Sequence, residues 1–269
     1  MDYFLIFAVE KRENGLYLSI EYDTNMKKKF LAVVLMIGLT GYLDTFGSVD
    51  NNVNKLTYLT DKNRPKGAKV LPQPPTENSD EYANDVHYYE WGKQQRANPE
   101  IRGRVLYADT AEIYRVFSSA MGIKMSIKKT PEILKLVRTA AEDAHIAADE
   151  AQKYFKRTKP FVFFYEPSMK GAGHVDKFKD KHNSYPSGHS TRGWAYALVL
   201  SDVAPNRTEA LDKCASDFAM NRVIMGRHWL SDIEAGKVLA TAVISKVRTT
   251  KAYKKQLLKA RAEYEACSP

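Results

Sequence analysis

The chain holds only two cysteines, Cys214 and Cys267, in 269 residues. That excludes a disulfide-stapled scaffold. A single bridge could form in an oxidising compartment, but spacing alone fixes no distance between them. Cys214 reads better as a small buried apolar residue and Cys267 as part of a fraying tail. The apolar run Phe30–Leu39 is too short for an ordinary membrane span. No segment sustains a strict apolar–polar alternation, which argues against a sheet-built core. There is no internal repeat and little low-complexity sequence. Among the histidines, His174, His182 and His189 match no helix or turn spacing of metal ligands, so no metal or other cofactor is expected. The first two read as loop residues, His145 as a helix-surface residue, and His87 as packing beside Tyr88. The lysines are scattered apart from Lys251–Lys259, with no interleaved aromatic residues. Nucleic acid is therefore not an expected partner, and the lysine run reads as the solvated face of a C-terminal helix.

The N-terminus reads as a targeting segment. Met26-Lys27-Lys28-Lys29 and the apolar run after it have the order of a secretory signal, with small-residue positions ending near Gly47. A signal should not begin at residue 26, so residues 1–25 read as an over-extended start, residues 26–47 as the signal and residues 48–81 as an extended arm. The competing reading is a strand over Tyr3–Val9 followed by a buried apolar helix. The chain carries a net +9; residues 1–25 hold two basic and five acidic groups, and residues 26–47 three lysines and one aspartate. Residues 48–269 thus hold +10, a balance that steers anionic substrates. About 222 residues after Gly47 suffice for one sizeable core. The expected location is periplasmic or secreted, with no membrane span in the mature chain; a homo-oligomer is left open.

The periodicity is helical. Thr130-Pro131-Glu132 opens a helix with an N-cap and a proline at the first position. Its apolar stripe includes Val137, Ala140, Ala144, Ala148 and Ala151, small residues suited to close helix packing. Asp109-x-x-Glu112 reads as a capping box. Further helices are expected over Ser190–Leu200, Thr208–Arg222, Trp229–Val247 and Ala252–Ala266. The expectation is an all-α, compact single-domain helical bundle over residues 82–269.

Two motifs carry chemistry: Pro186-Ser187-Gly188-His189, and Arg222-x5-His228-x3-Asp232. Phosphoryl transfer through a histidine needs a neutral nucleophile, a group holding its tautomer, an acid for the leaving oxygen and donors for the phosphate oxygens. His228 and Asp232, four residues apart, would share a helix face; the carboxylate would orient the imidazole, leaving His228 to attack and His189 to act as acid. Ser187 and Gly188 precede an apolar run and should open a helix, whose first N–H groups suit phosphate.

These residues resemble the bacterial class A non-specific acid phosphatases, within the superfamily of type 2 phosphatidic-acid phosphatases and vanadium haloperoxidases. That family's pattern reads K-x6-R-P, then P-S-G-H, then S-R-x5-H-x3-D. The second block is complete, and the third has Asn221 in place of Ser. Leu71-Pro72-Gln73-Pro74-Pro75 looks like the family's proline-rich lead-in, and the similarity covers roughly residues 66–248. The first block departs: fixed on Pro160, it puts Lys159 where the family has Arg and Gln152 where it has Lys. Lys159 loses the bidentate fork and Gln152 a charge, which Lys156, expected on the same helix face, would restore. Lys153 and Arg157 would point elsewhere.

The resemblance implies a metal-independent hydrolase of small phosphomonoesters that works through a phosphohistidine and is sensitive to vanadate. Phosphate would be held by Ser187, Gly188, Arg222, Lys159, Gln152 and Lys156, with His228, His189 and Asp232 catalytic. The alternatives are a phosphate-ester binding protein with weak turnover, motivated by Gln152 and Lys159, and a lipid-phosphate or pyrophosphate phosphatase of the same superfamily. A vanadium haloperoxidase is disfavoured by the altered cradle.

Overall fold

The structure is a computed structural model that describes residues 6–12, 15–21, 56–169 and 181–267. The chain divides into two units, Met1–Val53 and Asn54–Pro269. In the first, strands β1 (Ile6–Arg12) and β2 (Gly15–Glu21) pair antiparallel, with Ile6 opposite Glu21 and Arg12 opposite Gly15. Strict alternation does not announce this hairpin, although the expected Tyr3–Val9 strand overlaps β1. The signal segment 26–47 and His174 lie outside the described residues.

The second unit is all α among its described residues. Its helices are α1 (Gly67–Val70), α2 (Asp80–Gln95), α3 (Pro99–Thr110), α4 (Ile113–Met121), α5 (Pro131–Phe155), α6 (Pro160–Phe163), α7 (Gly188–Val203), α8 (Thr208–Ile224), α9 (Leu230–Val247) and α10 (Lys251–Cys267). Helix α7 is central and packs on α5, α8 and α9. The alanine stripe of α5 explains how it approaches: Ala140, Ala144, Ala147 and Ala148 are fully buried, and small side chains let backbones close up without leaving voids. Glycines do the same where α7 meets its other neighbours. A Cβ on Gly193 would lie 2.6 Å from the Phe218 ring of α8, and one on Gly236 of α9 would lie 2.8 Å from Ser190 Oγ.

Helix α5 begins at the expected Thr130-Pro131 pair, but its first N–H groups are capped from across the fold. Glu263 of α10 accepts from Glu132 N at 3.1 Å and Ile133 N at 2.8 Å. The described part of the proline-rich arm is tied to α5. Buried Asp143 accepts from Tyr58 N at 2.7 Å and pairs with Arg64 at 3.1 Å. The proposed capping box at Asp109 is absent. Helix α3 runs through Thr110, so Asp109 sits in its last turn, and the next helix starts at Ile113. Both cysteines are free, Cys214 half-buried and Cys267 exposed.

Candidate active site

Helix α7 opens as the sequence suggests. Ser187 is its N-cap, with its hydroxyl accepting from Ser190 N at 3.4 Å. The first-turn N–H groups of a helix have no intrahelical acceptor and form a ready donor set for an oxyanion. Ser187 is fully buried, and its own N–H donates to Asp232 O at 2.9 Å, which pins the start of α7 against α9.

His228 lies in the turn between α8 and α9, two residues ahead of Leu230, so no shared helix face pairs it with Asp232. Its ring is held from another segment. Nδ1 is 2.9 Å from the carbonyl oxygen of Ser184, whereas Asp232 Oδ2 is 3.5 Å away. A carbonyl oxygen only accepts, so Nδ1 carries the proton and Nε2 presents its lone pair. Lys159 Nζ stands 3.5 Å from that Nε2. Burial, reinforced by the Lys159 and Arg222 charges, holds the His228 pKa well below its usual value. That shift favours the neutral ring.

Asp232 acts one step back. Its Oδ2 accepts from Ser184 Oγ at 2.5 Å and from Trp229 N at 2.8 Å; its Oδ1 accepts from Arg157 Nη1 at 2.8 Å. Burial pushes the carboxyl pKa up while Arg157 and Ser184 pull it down. Since these three partners all donate, the group is read as a carboxylate. By gripping Ser184 and Trp229, it fixes the segments on both sides of the His228 ring.

Arg157 is the residue that the spacing argument missed. Its side chain is buried and spans two carboxylates, Asp85 at 2.7 Å and Asp232 at 2.8 Å. Its Nη1 also donates to Ser231 Oγ at 2.7 Å, and that hydroxyl donates on to Asp85 at 2.6 Å. Asp85 comes from α2, Arg157 from the connection between α5 and α6, and Ser231 and Asp232 from α9, so three segments meet here. The signal available in sequence was Arg157's place next to the family-like Lys159-Pro160 block, but nothing local names Asp85 as its partner.

Lys156 does not share the Gln152 face. Helix α5 ends at Phe155, and Lys156 is an exposed C-cap with φ 52°. Gln152 is buried beside the segment that leads into α7 and donates to Pro186 O at 2.8 Å. A Cβ placed on Gly188 would lie 3.5 Å from the Gln152 amide nitrogen. Arg222 is buried on α8, with Nη1 bonded to Asp109 and its Nε without a hydrogen bond among the described residues. His189, in the first turn of α7, is 45% exposed; its Nε2 is 4.0 Å from Asp109 Oδ1 and its ring is stacked on Phe218 at 6.3 Å. The Arg222 charge first, then burial, hold its pKa well below the ordinary value. Nearly half its side chain is exposed, so the Arg222 charge outweighs desolvation.

The remaining histidines stand apart. His145 faces Asp149 at 3.6 Å, His182 contacts Thr158 at 3.1 Å, and His87 packs on Tyr88. Among the described residues no group of three or more His, Cys, Asp and Glu is placed to hold a metal ion, and no helix is long and apolar enough to cross a membrane.

The site thus gathers two histidines, three cations with buried side chains and a helix N-terminus. Residues 144–256 match the PAP2 superfamily. The chain is 34% identical to a non-specific acid phosphatase of Providencia stuartii, over 78% of this chain and 85% of that protein. It is 30% identical to one of Salmonella typhimurium, over 88% and 93%. An acid phosphatase of Zymomonas mobilis is 27% identical over 72% and 74%. The chain belongs to the non-specific acid phosphatase family.

Proposed function

We propose that the chain is a secreted, periplasmic acid phosphatase that hydrolyses small phosphomonoesters through a phosphohistidine. The observation that carries the mechanism is the buried His228 ring, with Nδ1 2.9 Å from Ser184 O and Nε2 beside Lys159. His228 Nε2 attacks phosphorus as the bond to the alcohol oxygen breaks, and protonated His189 gives its proton to that oxygen. Water then attacks the phosphohistidine; His189 takes its proton, the P–N bond breaks with its electrons returning to Nε2, and phosphate leaves. Arg222, Lys159, Ser187 and the N–H of Gly188 hold the phosphate oxygens. Gln152 steadies the loop through Pro186 rather than supplying a charge. The scheme assigns no step to a metal. Secretion rests on the reading of residues 26–47 as a signal and on the family.

The test is hydrolysis of p-nitrophenyl phosphate from pH 4 to pH 8 in the presence of EDTA. Turnover below neutral pH, inhibited by vanadate, is expected. No turnover at any pH, or loss in chelator that zinc or magnesium restores, overturns the proposal. Failure to hydrolyse with retained phosphate binding would favour the binding-protein reading, which the uncharged Gln152 and the single-pronged Lys159 motivate.

The pH profile follows from the two histidines. His189 must be protonated to act, yet Arg222 and burial depress its pKa in the free protein. A bound phosphoryl group adds negative charge and raises that pKa. Activity therefore falls as pH rises through the His189 pKa. This limb lies at lower pH in kcat/KM, which reports the free enzyme, than in kcat, which reports the complex. Coincident limbs in the two profiles would show that the titrating acid does not feel the bound phosphate.

A further inference from the structure

Beside His189 lies a cavity of about 200 Å³ whose lining includes Asp109, Glu112, Ile113, His189, Arg192 and Phe218. Its carboxylates are already engaged. Asp109 holds Arg222, and Glu112 accepts from Arg138 at 3.2 Å. Arg192 is different. Its Nε is shut off from solvent without a hydrogen-bond partner, and no ion pair engages its guanidinium among the described residues. It stands three residues after His189 on α7, so both side chains lie on one face of the helix. A guanidinium retains its charge at every working pH and favours oxyanions over other partners.

We infer that Arg192 forms a second anion subsite, which takes phosphomonoesters whose alcohol part carries a further phosphate or carboxylate. This rests on the proposed role of His189. If His189 protonates the leaving oxygen, the departing alcohol occupies the cavity that His189 lines. The stacked Phe218 ring then walls one side and Arg192 supplies the only cation there whose charge is not already met by a carboxylate of that cavity, among the described residues. The net basic chain draws such polyanionic substrates in. Bound there, the second anion would hold the ester while His228 attacks the first phosphoryl group.

The experiment uses the full chain and two matched substrate pairs: 3-phosphoglycerate against glycerol 3-phosphate, and fructose 1,6-bisphosphate against fructose 6-phosphate. The measured quantity is the ratio of kcat/KM within each pair, which cancels any effect of a variant on the common chemistry. The wild-type ratio is expected to favour the anion-bearing member by about tenfold, the scale of one charge-assisted contact. Arg192→Met should bring the ratio near one, and Arg192→Lys should restore part of it. The pair with the larger ratio tells whether the subsite prefers phosphate or carboxylate. A wild-type ratio near one in both pairs, or a ratio that Arg192→Met leaves unchanged, overturns the inference while the phosphatase reading stands. No hydrolysis of any of the four esters by protein that turns over p-nitrophenyl phosphate overturns the inference alone; no hydrolysis of p-nitrophenyl phosphate either overturns both.

Discussion

His228→Asn is expected to lose turnover by on the order of 10⁴-fold or more, the scale seen when a nucleophile is removed. Asparagine is the informative replacement because its amide can still donate to Ser184 O, which His228 Nδ1 now meets at 2.9 Å. An alanine there would leave that buried carbonyl unpaired at a cost of about 1–3 kcal/mol, and lost activity could then reflect lost structure. The asparagine variant should melt within a few degrees of the wild type and still bind phosphate at Arg222 and Lys159. His189→Ala should behave differently. It should spare p-nitrophenyl phosphate, whose leaving oxygen needs little help, and slow an alkyl phosphate strongly, because an acid matters most when the departing oxygen is basic. A folded His228→Asn protein that keeps a hundredth of the activity would remove His228 from the role of nucleophile. If His189→Ala cuts both esters by one common factor, His189 is not the acid.

Arg157→Met should both destabilise the fold and reshape the pH profile. Arg157 is the charge that offsets Asp85 and Asp232, whose side chains are 1% and 0% exposed. Removing one partner of a buried ion pair typically costs about 3–5 kcal/mol, because the remaining charge has lost its compensation. Met keeps an unbranched apolar stem in place of the guanidinium that sits 5.3 Å over the Trp229 ring. The loss therefore reports charge rather than volume. Arg157→Lys should recover only part, since one ammonium cannot bridge two carboxylates as a planar fork does.

Stability alone would fit a merely structural residue, so kinetics must decide. Without Arg157 the Asp232 carboxyl loses its largest pKa-lowering neighbour, and its pKa, already raised by burial, climbs further. The carboxylate is the form that holds Ser184 and Trp229 around the His228 ring. It is lost as pH falls through that raised pKa, so the acid limb of kcat should move to higher pH in Arg157→Met. An acid limb that stays in place while the melting temperature drops would make Arg157 a structural residue without influence on the His228 ring.

What could be read from the sequence was what neighbouring residues decide among themselves. Proline at the first turn of α5, Ser187 at the start of α7 and the alanine stripe all act within a helical turn or two, and the helices formed where those signals stood. The two motif blocks likewise singled out His189, Arg222 and His228 as candidates, by residue type and short spacing. The same local logic failed where it was extended by a turn: Lys156 falls beyond the end of α5, and His228 precedes α9 instead of riding on it. Only the tertiary structure decided the partners. The Ser184 carbonyl rather than Asp232 accepts from His228 Nδ1, Asp109 from α3 meets Arg222 from α8, and Asp85 from α2 meets Arg157. The physical reason is that a buried charge or N–H must be satisfied by whichever group packing brings within reach. Packing around α7 brings together segments that are far apart in the chain, and no local spacing records which of their side chains will meet.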